Sequence, residues 1–331
     1  MPTPIRVLQY GLGPIGSAIA RHVLERDGLR LVAAVDIDPA KVGRDVGEVI
    51  GLARPLGFPV YDRLSAALTH AGADVAIHAT TSYFDLFAPQ IVELLEAGLD
   101  VVSTAEELSF PWGQHPEPAR ALHATAVRCG KTVLGIGVNP GFLMDTLPIA
   151  LTALCQTVER VEITRVVNAS TRRGPFQAKI GCGMTEAAFR AQMAAGRMGH
   201  VGLRQSMDAL FDTLGRRLAR YEDRVEPLIA NRPLLASNGP VAPGQVRGLI
   251  QEARGYTDEA EFAVLRFIAA LEAGDEQDTI VISGRPTLRV VLQGTNGDLA
   301  TVAIAVNAIP QVMAAPPGLV TPRDLPPIHH W

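Results

Sequence analysis

The segment Tyr10-Gly11-Leu12-Gly13-Pro14-Ile15-Gly16 constrains this chain more than any other. It follows the apolar run Ile5–Tyr10 and opens a helical pattern, Pro14–Arg26. A second apolar run, Leu31–Asp36, ends in an acid twenty residues after Gly16. Strand, glycine turn, helix and strand at this spacing make a right-handed crossover and therefore a parallel sheet. Gly11 permits the tight turn, Gly13 lets the backbone approach a diphosphate, and Gly16 lets the helix lie close on the strand. The helix start at Pro14 and Ile15 offers N–H groups and a positive dipole end to an anion. The turn reads as a dinucleotide-binding loop of the Rossmann type. Asp36 is placed to accept hydrogen bonds from the adenosine ribose and to repel a 2′-phosphate, so NAD is expected ahead of NADP. Lys41 and Arg44 lie near enough in sequence to favour a phosphate instead, and Asp38 reads as the cap of the next turn.

The alternation continues. Asp74–Thr80, Asp100–Thr104 and Thr132–Gly137 read as strands, with Leu64–Ala71, Phe84–Ala97 and Pro116–Cys129 as the helices between them. The strands are near-continuous apolar runs, as expected of a parallel sheet covered on both faces. Gly72, Gly98 and Gly130 stand where left-handed helix caps are expected. After Pro140 the rhythm changes. A helix at Met144–Cys155 leads into a strand at Val161–Ala169, a glycine-rich loop, and helices from about Met184 and at Val201–Leu214. Strands are then expected at Gln245–Gly255, Glu261–Ala270, Thr279–Ser283 and Thr287–Leu292, with a hairpin turn at Ser283–Pro286 and a helix over about Asp298–Met313. The expected fold class is α/β, a doubly wound parallel Rossmann sheet with a second α+β mixed-sheet domain. The expected domains are 1–140 for the dinucleotide, 141–300 for substrate and dimerisation, and 301–331 as a helix and tail packing back on the first. Strands 261–270 and 287–292 alternate only partly and look covered on both faces, which suggests a dimer contact.

With 47% hydrophobic and 19% charged residues the chain can bury a full core. A formal net charge of −4 without a basic run argues against nucleic acid and anionic membranes as partners. No run is expected to span a bilayer, and Ile5 follows no basic leader, so the cytoplasm is the expected compartment. Cys129, Cys155 and Cys182 are too dispersed for a disulfide framework or zinc site, and no metal is expected.

In a doubly wound sheet the reacting carbon lies beyond the carboxyl ends of the strands. Three segments end there: Thr80-Thr81-Ser82, Ser103-Thr104-Ala105-Glu106-Glu107, and Gly137 through Gly141. Thr80, Thr81, Ser103 and Thr104 suit a backbone passing close to a flat ring, and Asn139 can pair with a carboxamide or with substrate; each segment also reads as an ordinary polar turn. Glu106 and Glu107 carry the chemistry. If strand geometry persists they point to opposite sides, so one faces the cofactor. A carboxylate opposes the positive charge that builds on nitrogen as an amine is oxidised, and it exchanges protons with the ammonium and with water. The sequence places no His or Lys at this strand end, which favours C–N over alcohol chemistry. The alternative is a carboxylate pair stabilising a helix start.

The stretches GLGPIGSAIA, VDIDPAKVGRDVGEVIG, VVSTAEELSFPW, GVNPGFLMDTLP, ASTRRGPFQAKIGCGM, GHVGLRQS and VNAIPQVMAAPPGLVTPRDLP span the chain. On them it resembles the 2,4-diaminopentanoate dehydrogenase family and the related NAD(P)-dependent amine dehydrogenases, cousins of dihydrodipicolinate reductase. The resemblance implies a Rossmann domain, a mixed-sheet second domain, a homodimer, and a catalytic glutamate in the TAEE segment. The similar TANK end of homoserine dehydrogenases implies Glu107 over Glu106. The chain lacks the histidine-rich segment and DAPSGT-like loop of the dihydrodipicolinate reductases, which argues against that activity. Asn139, Arg165 and His200 match a polar cluster that holds a substrate carboxylate, whereas Val167 and the neighbourhood of Phe267 depart from it. The implied activity is reversible oxidative deamination of a primary amine, or reductive amination of a ketone or aldehyde with ammonia. Alternatives are 2,4-diaminopentanoate dehydrogenase proper, an imine reductase on a cyclic substrate, and an NAD(P)-sensing protein without catalysis.

Phe142, Met144, Phe176 and Met207 are candidates for an apolar pocket wall. Arg172 and Arg173 read either as anion ligands or as a solvated loop pair, and Lys179 as a surface lysine. His200, between glycines, is open as a pocket residue or a cap partner. His329, His330 and Trp331 read as a disordered tail.

Overall fold

The computed structural model describes residues 3–331. The chain forms two compact units, one comprising residues up to Phe142 together with Asn296–Trp331, the other Leu143–Thr295.

The first unit opens with β1 (Ile5–Tyr10), α1 (Pro14–Glu25), β2 (Leu29–Val35), the short α2 (Val46–Val49), β3 (Val60–Tyr61), α3 (Leu64–His70) and β4 (Val75–His78). It continues with α4 (Phe84–Glu96), β5 (Asp100–Ser103), α5 (Pro116–Cys129) and β6 (Thr132–Gly135). The second unit carries α6 (Thr146–Leu151), β7 (Thr157–Asn168), α7 (Gly174–Lys179), α8 (Glu186–Ala194), α9 (Leu203–Thr213) and β8 (Arg220–Ile229). The hairpin β9 (Leu234–Ala236) and β10 (Gly239–Val241) follows, then β11 (Val246–Tyr256), β12 (Glu261–Ala270), β13 (Gln277–Arg285) and β14 (Leu288–Gln293). The chain then returns to the first unit with α10 (Gly297–Asn307), α11 (Ile309–Ala314) and β15 (Gly318–Val320).

Seven parallel strands make the first sheet, in the order β15-β6-β5-β4-β1-β2-β3. Strands β4, β5 and β6 are buried at every position, which is why they read as unbroken apolar runs. One face packs Ile19 and Val23 of α1 with Val302, Val306, Ile309 and Val312 of the returning helices. The other packs Phe84, Phe87, Ile91 and Leu94 of α4 with Leu122 and Ala126 of α5. The order reverses at β1, flanked by β4 and β2, so the crevice at its carboxyl end is the place where such sheets take a ligand.

The second unit is a mixed six-stranded sheet, β14-β13-β7-β12-β11-β8, in which only β7 and β12 run parallel. One face packs α9 through Met207, Leu210 and Phe211. The opposite face carries a closed ring of alternating charges: Arg160, Glu162, Arg266, Glu252, Arg254 and Glu261, each paired with the next and the last with the first.

Several expectations are corrected. The loop expected before residue 184 contains α7, whose Gly174-Pro175 start reads as a breaker although proline suits the first turn of a helix. Strand β8 is absent from the sequence reading because it is an edge strand with charges on both faces. The β13–β14 ladder closes at Ile282–Leu288, around the expected turn, while β13 runs on to Arg285 against β7. Helix α3 ends in extended backbone at Ala71 without a left-handed Gly72, while Gly98 and Gly130 do adopt positive φ. Strand β14 alternates strictly and exposes every second residue, so it is not covered on both faces. The tail is placed: the Arg26 guanidinium stacks 4.9 Å from the Trp331 ring. Residues 297–314 are long and apolar enough to cross a membrane, with mean hydropathy 1.3, contrary to the expectation of no such run. They form two helices rather than one because Pro310 starts a new one, and Val302, Ala305, Ile309 and Val312 lie in the core of the first unit.

Candidate active site

The turn after β1 is built by contacts that exclude side chains. A Cβ on Gly11, whose φ is +92°, would stand 2.4 Å from the carbonyl oxygen of Ala79. One on Gly16 would stand 2.0 Å from the carbonyl oxygen of Gly11, so only glycine lets α1 approach the strand this closely. A Cβ on Gly13 would meet nothing within 4 Å. That open space beside the first turn of α1, begun by Pro14 and Ile15, fits a diphosphate drawn against the backbone.

Asp36 follows β2 and holds the turn in place. Its Oδ2 accepts from the Leu12 N–H at 2.7 Å and its Oδ1 from the Asp38 N–H at 2.8 Å. Lys41 Nζ lies 3.1 Å from Asp36 Oδ2 and 3.4 Å from Asp38 Oδ2. Arg44 instead pairs with Glu48. A carboxylate offers about four acceptor sites, and with three taken Asp36 retains capacity for one ribose hydroxyl.

The ends of β4 and β5 stand side by side, with His78 opposite Ser103. Thr80, Thr81 and Thr104 line these ends with partial or full exposure. Ser103 does not: it is fully buried, and its Oγ accepts from the Ala105 N–H at 3.1 Å and lies 2.9 Å from His78 Nδ1. Burial lowers the His78 pKa to about 4, so the ring is neutral. Asn139, beyond β6, is 8% exposed, and Phe142 is half-buried.

Residues 106–108 form a 3₁₀ turn because β5 already ends at Ser103, so the two glutamates are not on opposite faces of a strand. They differ in their surroundings. Glu107 Oε2 accepts from the Phe84 N–H at 2.6 Å, at the start of α4, where a negative charge complements the helix dipole. The same oxygen lies 3.3 Å from His115 Nε2, and the His115 ring stacks on Phe84 at 4.9 Å. Among the described residues, the Glu106 side chain has no hydrogen bond or ion pair. The sequence expectation of no histidine at this strand end is therefore corrected: His78 arrives from β4 and His115 from the loop before α5.

In the second unit, Asp278, Arg165, Phe267 and Gln251 form one row across four strands. Arg165 Nη1 donates to both Asp278 oxygens at 2.9 and 3.2 Å, with both side chains at most 4% exposed. Burial lowers the Arg165 pKa and raises that of Asp278. The His200 ring stacks on Phe267 at 4.7 Å, and the His200 backbone N–H donates to Gln251 Oε1 at 2.6 Å. Met144 and Met207 are fully buried core residues rather than pocket wall, Met207 Sδ being pressed against Gly255. Phe176 of α7 packs partly against that core. Arg172 pairs with Glu276, and Lys179 is exposed. No group of three His, Cys, Asp or Glu able to hold a metal occurs among the described residues.

Sequence reasoning missed His78, His115 and Asp278. Each acts on a partner eight or more residues away, and the only local signal was a histidine closing the apolar run Val75–His78.

A doubly wound parallel sheet with this glycine turn and acid defines the first unit as an NAD(P)-binding Rossmann domain, and with a mixed-sheet unit following it the chain has the architecture of an NAD(P)-dependent dehydrogenase. Residues 142–331 match the 2,4-diaminopentanoate dehydrogenase C-terminal domain, and residues 5–103 match the N-terminus of dihydrodipicolinate reductase. The chain belongs to the 2,4-diaminopentanoate dehydrogenase family. It is 30% identical to 2,4-diaminopentanoate dehydrogenase of Acetoanaerobium sticklandii over 97% of this chain and 93% of that one. It is 25% identical to an amine dehydrogenase of Streptomyces virginiae over 97% and 96%. The solved structure of an amine dehydrogenase from Mycobacterium smegmatis superimposes with a TM-score of 0.89 at 28% identity, covering 100% of this chain and 98% of that one.

Proposed function

We propose that the chain is an NAD(P)-dependent amine dehydrogenase, interconverting a primary amine with a ketone or aldehyde plus ammonia. The observation that carries the reading is Glu106, a carboxylate without a side-chain partner at the same sheet edge as the dinucleotide turn. Bound NAD(P) supplies the hydride acceptor in one direction and the donor in the other. The turn Gly11–Gly16 and Asp36 would hold the dinucleotide, and Thr81, Thr104 and Asn139 stand at the strand ends beyond which its reactive end would lie. Glu106 takes a proton from the substrate ammonium, frees the nitrogen lone pair and passes that proton to solvent, which restores the carboxylate. It opposes the positive charge that builds on the C–N unit, then takes a proton from the water attacking that unit. Glu107, occupied at the start of α4, holds the segment in place and is not the acid/base. The test is a pair of variants. Glu106→Gln is expected to lower kcat by about a hundred- to ten-thousand-fold with the NAD dissociation constant unchanged. Glu107→Gln is expected to retain turnover within about tenfold and to lose about 0.5–1 kcal/mol of stability, the worth of a charge at a helix start. The reverse pattern would transfer the role to Glu107.

Asp278 already neutralises the Arg165 guanidinium, so that arginine is not available to bind a carboxylate. This favours a simple amine or ketone over an amino-acid substrate such as that of 2,4-diaminopentanoate dehydrogenase proper. NAD is preferred through Asp36, and Lys41 beside it keeps NADP acceptable. Small molecules and ammonia are the partners, without nucleic acid or membrane, and the cytoplasm is the compartment, in keeping with three free cysteines. The protein is a homodimer through the open face of the second unit's sheet, whose ring of alternating charges is its own complement under a two-fold rotation.

A further inference from the structure

His78 is fully buried, and the mechanism above does not use it. Its Nε2 lies 2.8 Å from Gln90 Oε1 and 2.9 Å from Thr80 Oγ1, and the Thr80 hydroxyl donates to the same Gln90 oxygen at 2.7 Å. Gln90 Oε1 can only accept, so the imidazole proton sits on Nε2. Nδ1 is then an acceptor of a hydrogen bond from the Ser103 hydroxyl, while Ser103 Oγ accepts from the Ala105 N–H. One tautomer satisfies every member of the network, which makes it rigid.

The two arms of the imidazole reach different parts of the site. Through Ser103 and Ala105, Nδ1 fixes the backbone immediately before Glu106. Through Gln90 and Thr80, Nε2 sets the Thr80 rotamer, which turns Cγ2 toward the glycine turn, where a Cβ on Gly11 would stand only 2.9 Å from it. Tyr10 of β1 and Phe87 of α4 close around the ring, at 5.7 and 6.4 Å between centroids.

We propose that His78 is a positioning residue that sets the distance between the diphosphate turn and the Glu106 carboxylate, its Nδ1 arm governing turnover and its Nε2 arm governing cofactor affinity. The hydroxyls of Thr80 and Ser103 act through it rather than by touching the cofactor. The proposal deepens the amine dehydrogenase reading and rests on it for the turnover arm alone.

The experiment measures NAD affinity by fluorescence titration and turnover as NADH oxidation with 2-pentanone and ammonium. His78→Leu and Thr80→Val are expected to raise the NAD dissociation constant about tenfold, the effect of one lost buried hydrogen bond. His78→Leu and Ser103→Ala are expected to lower kcat about tenfold on the same ground. His78→Asn, whose Oδ1 can stand where Nδ1 stands, is expected to restore kcat but not NAD affinity. A residue with a merely structural role would lower the melting temperature of His78→Leu and leave both constants at wild-type values, which overturns the proposal. Should His78→Leu not fold, Thr80→Val and Ser103→Ala decide, and wild-type constants in both overturn it. A wild-type protein that binds NAD but ignores 2-pentanone with ammonium counts against the amine reading, and the NAD titrations still judge the Nε2 arm.

Discussion

Glu106 and Glu107 are chemically identical neighbours that differ only in their surroundings. One oxygen of Glu107 is taken by the Phe84 N–H, 23 residues away in sequence, and nothing in the TAEE segment announces that partner. His78 shows the same principle in its titration. Its pKa is about 4 in the folded protein against 6.5 for an ordinary histidine, so the unfolded chain takes up the proton first as pH falls. Stability from this group is complete above pH 6.5, declines below it, and is lost by pH 4. Between pH 7 and 5 the loss is about 2 kcal/mol. Urea unfolding of wild type and His78→Asn is expected to show their difference shrinking by that amount; a pH-independent difference would contradict it. At the ribose end, Asp36→Ala is expected to weaken NAD more than NADP, and Lys41→Ala to weaken NADP more than NAD. Titrations of both cofactors check this, and wild-type ratios in both variants would count against the assignment.

The element that most defines the site is the turn from β1 to α1, and its glycines are not equivalent. Gly13→Ala adds a methyl to open space at a φ of −64°, so it is expected to leave the melting temperature nearly unchanged while NAD affinity falls at least about tenfold. Gly16→Ala drives a methyl into the Gly11 carbonyl and is expected to cost about 1–3 kcal/mol of stability. Calorimetry with NAD titration separates the two; equal effects would contradict the distinction. This turn was legible in the sequence because its signal is local: an apolar run, spaced glycines and a strand-ending acid. The buried strands β4 to β6 were legible for the same reason. Strand β8 was not, since an edge strand exposed on both sides shows no apolar period. Helix α7 was hidden by glycine and proline, which mark a helix start as readily as a loop. In the first unit the sequence located the strand ends but not the bonds across them: Ser103 looked like a cofactor ligand, and His78 occupies it. In the second unit Arg165 looked like a free cation, and Asp278 occupies it.

At the scale of the whole molecule, a nucleotide unit supplies a dinucleotide site and an open carboxylate, and a second unit supplies a row of neutralised polar groups and a flat charged face. If that face joins two copies, sedimentation velocity at micromolar concentration gives a dimer, and the charge-reversing variant Arg254→Glu shifts it toward monomer; a monomeric wild type contradicts the interface. The central claim is that this machinery makes and breaks a C–N bond. Wild-type protein is incubated with NADH, 2-pentanone and ¹⁵N-labelled ammonium, and the product is examined by mass spectrometry. The account predicts NADH oxidation that requires ammonium, with the label in 2-aminopentane. NADH oxidation that proceeds equally without ammonium and yields 2-pentanol would contradict it.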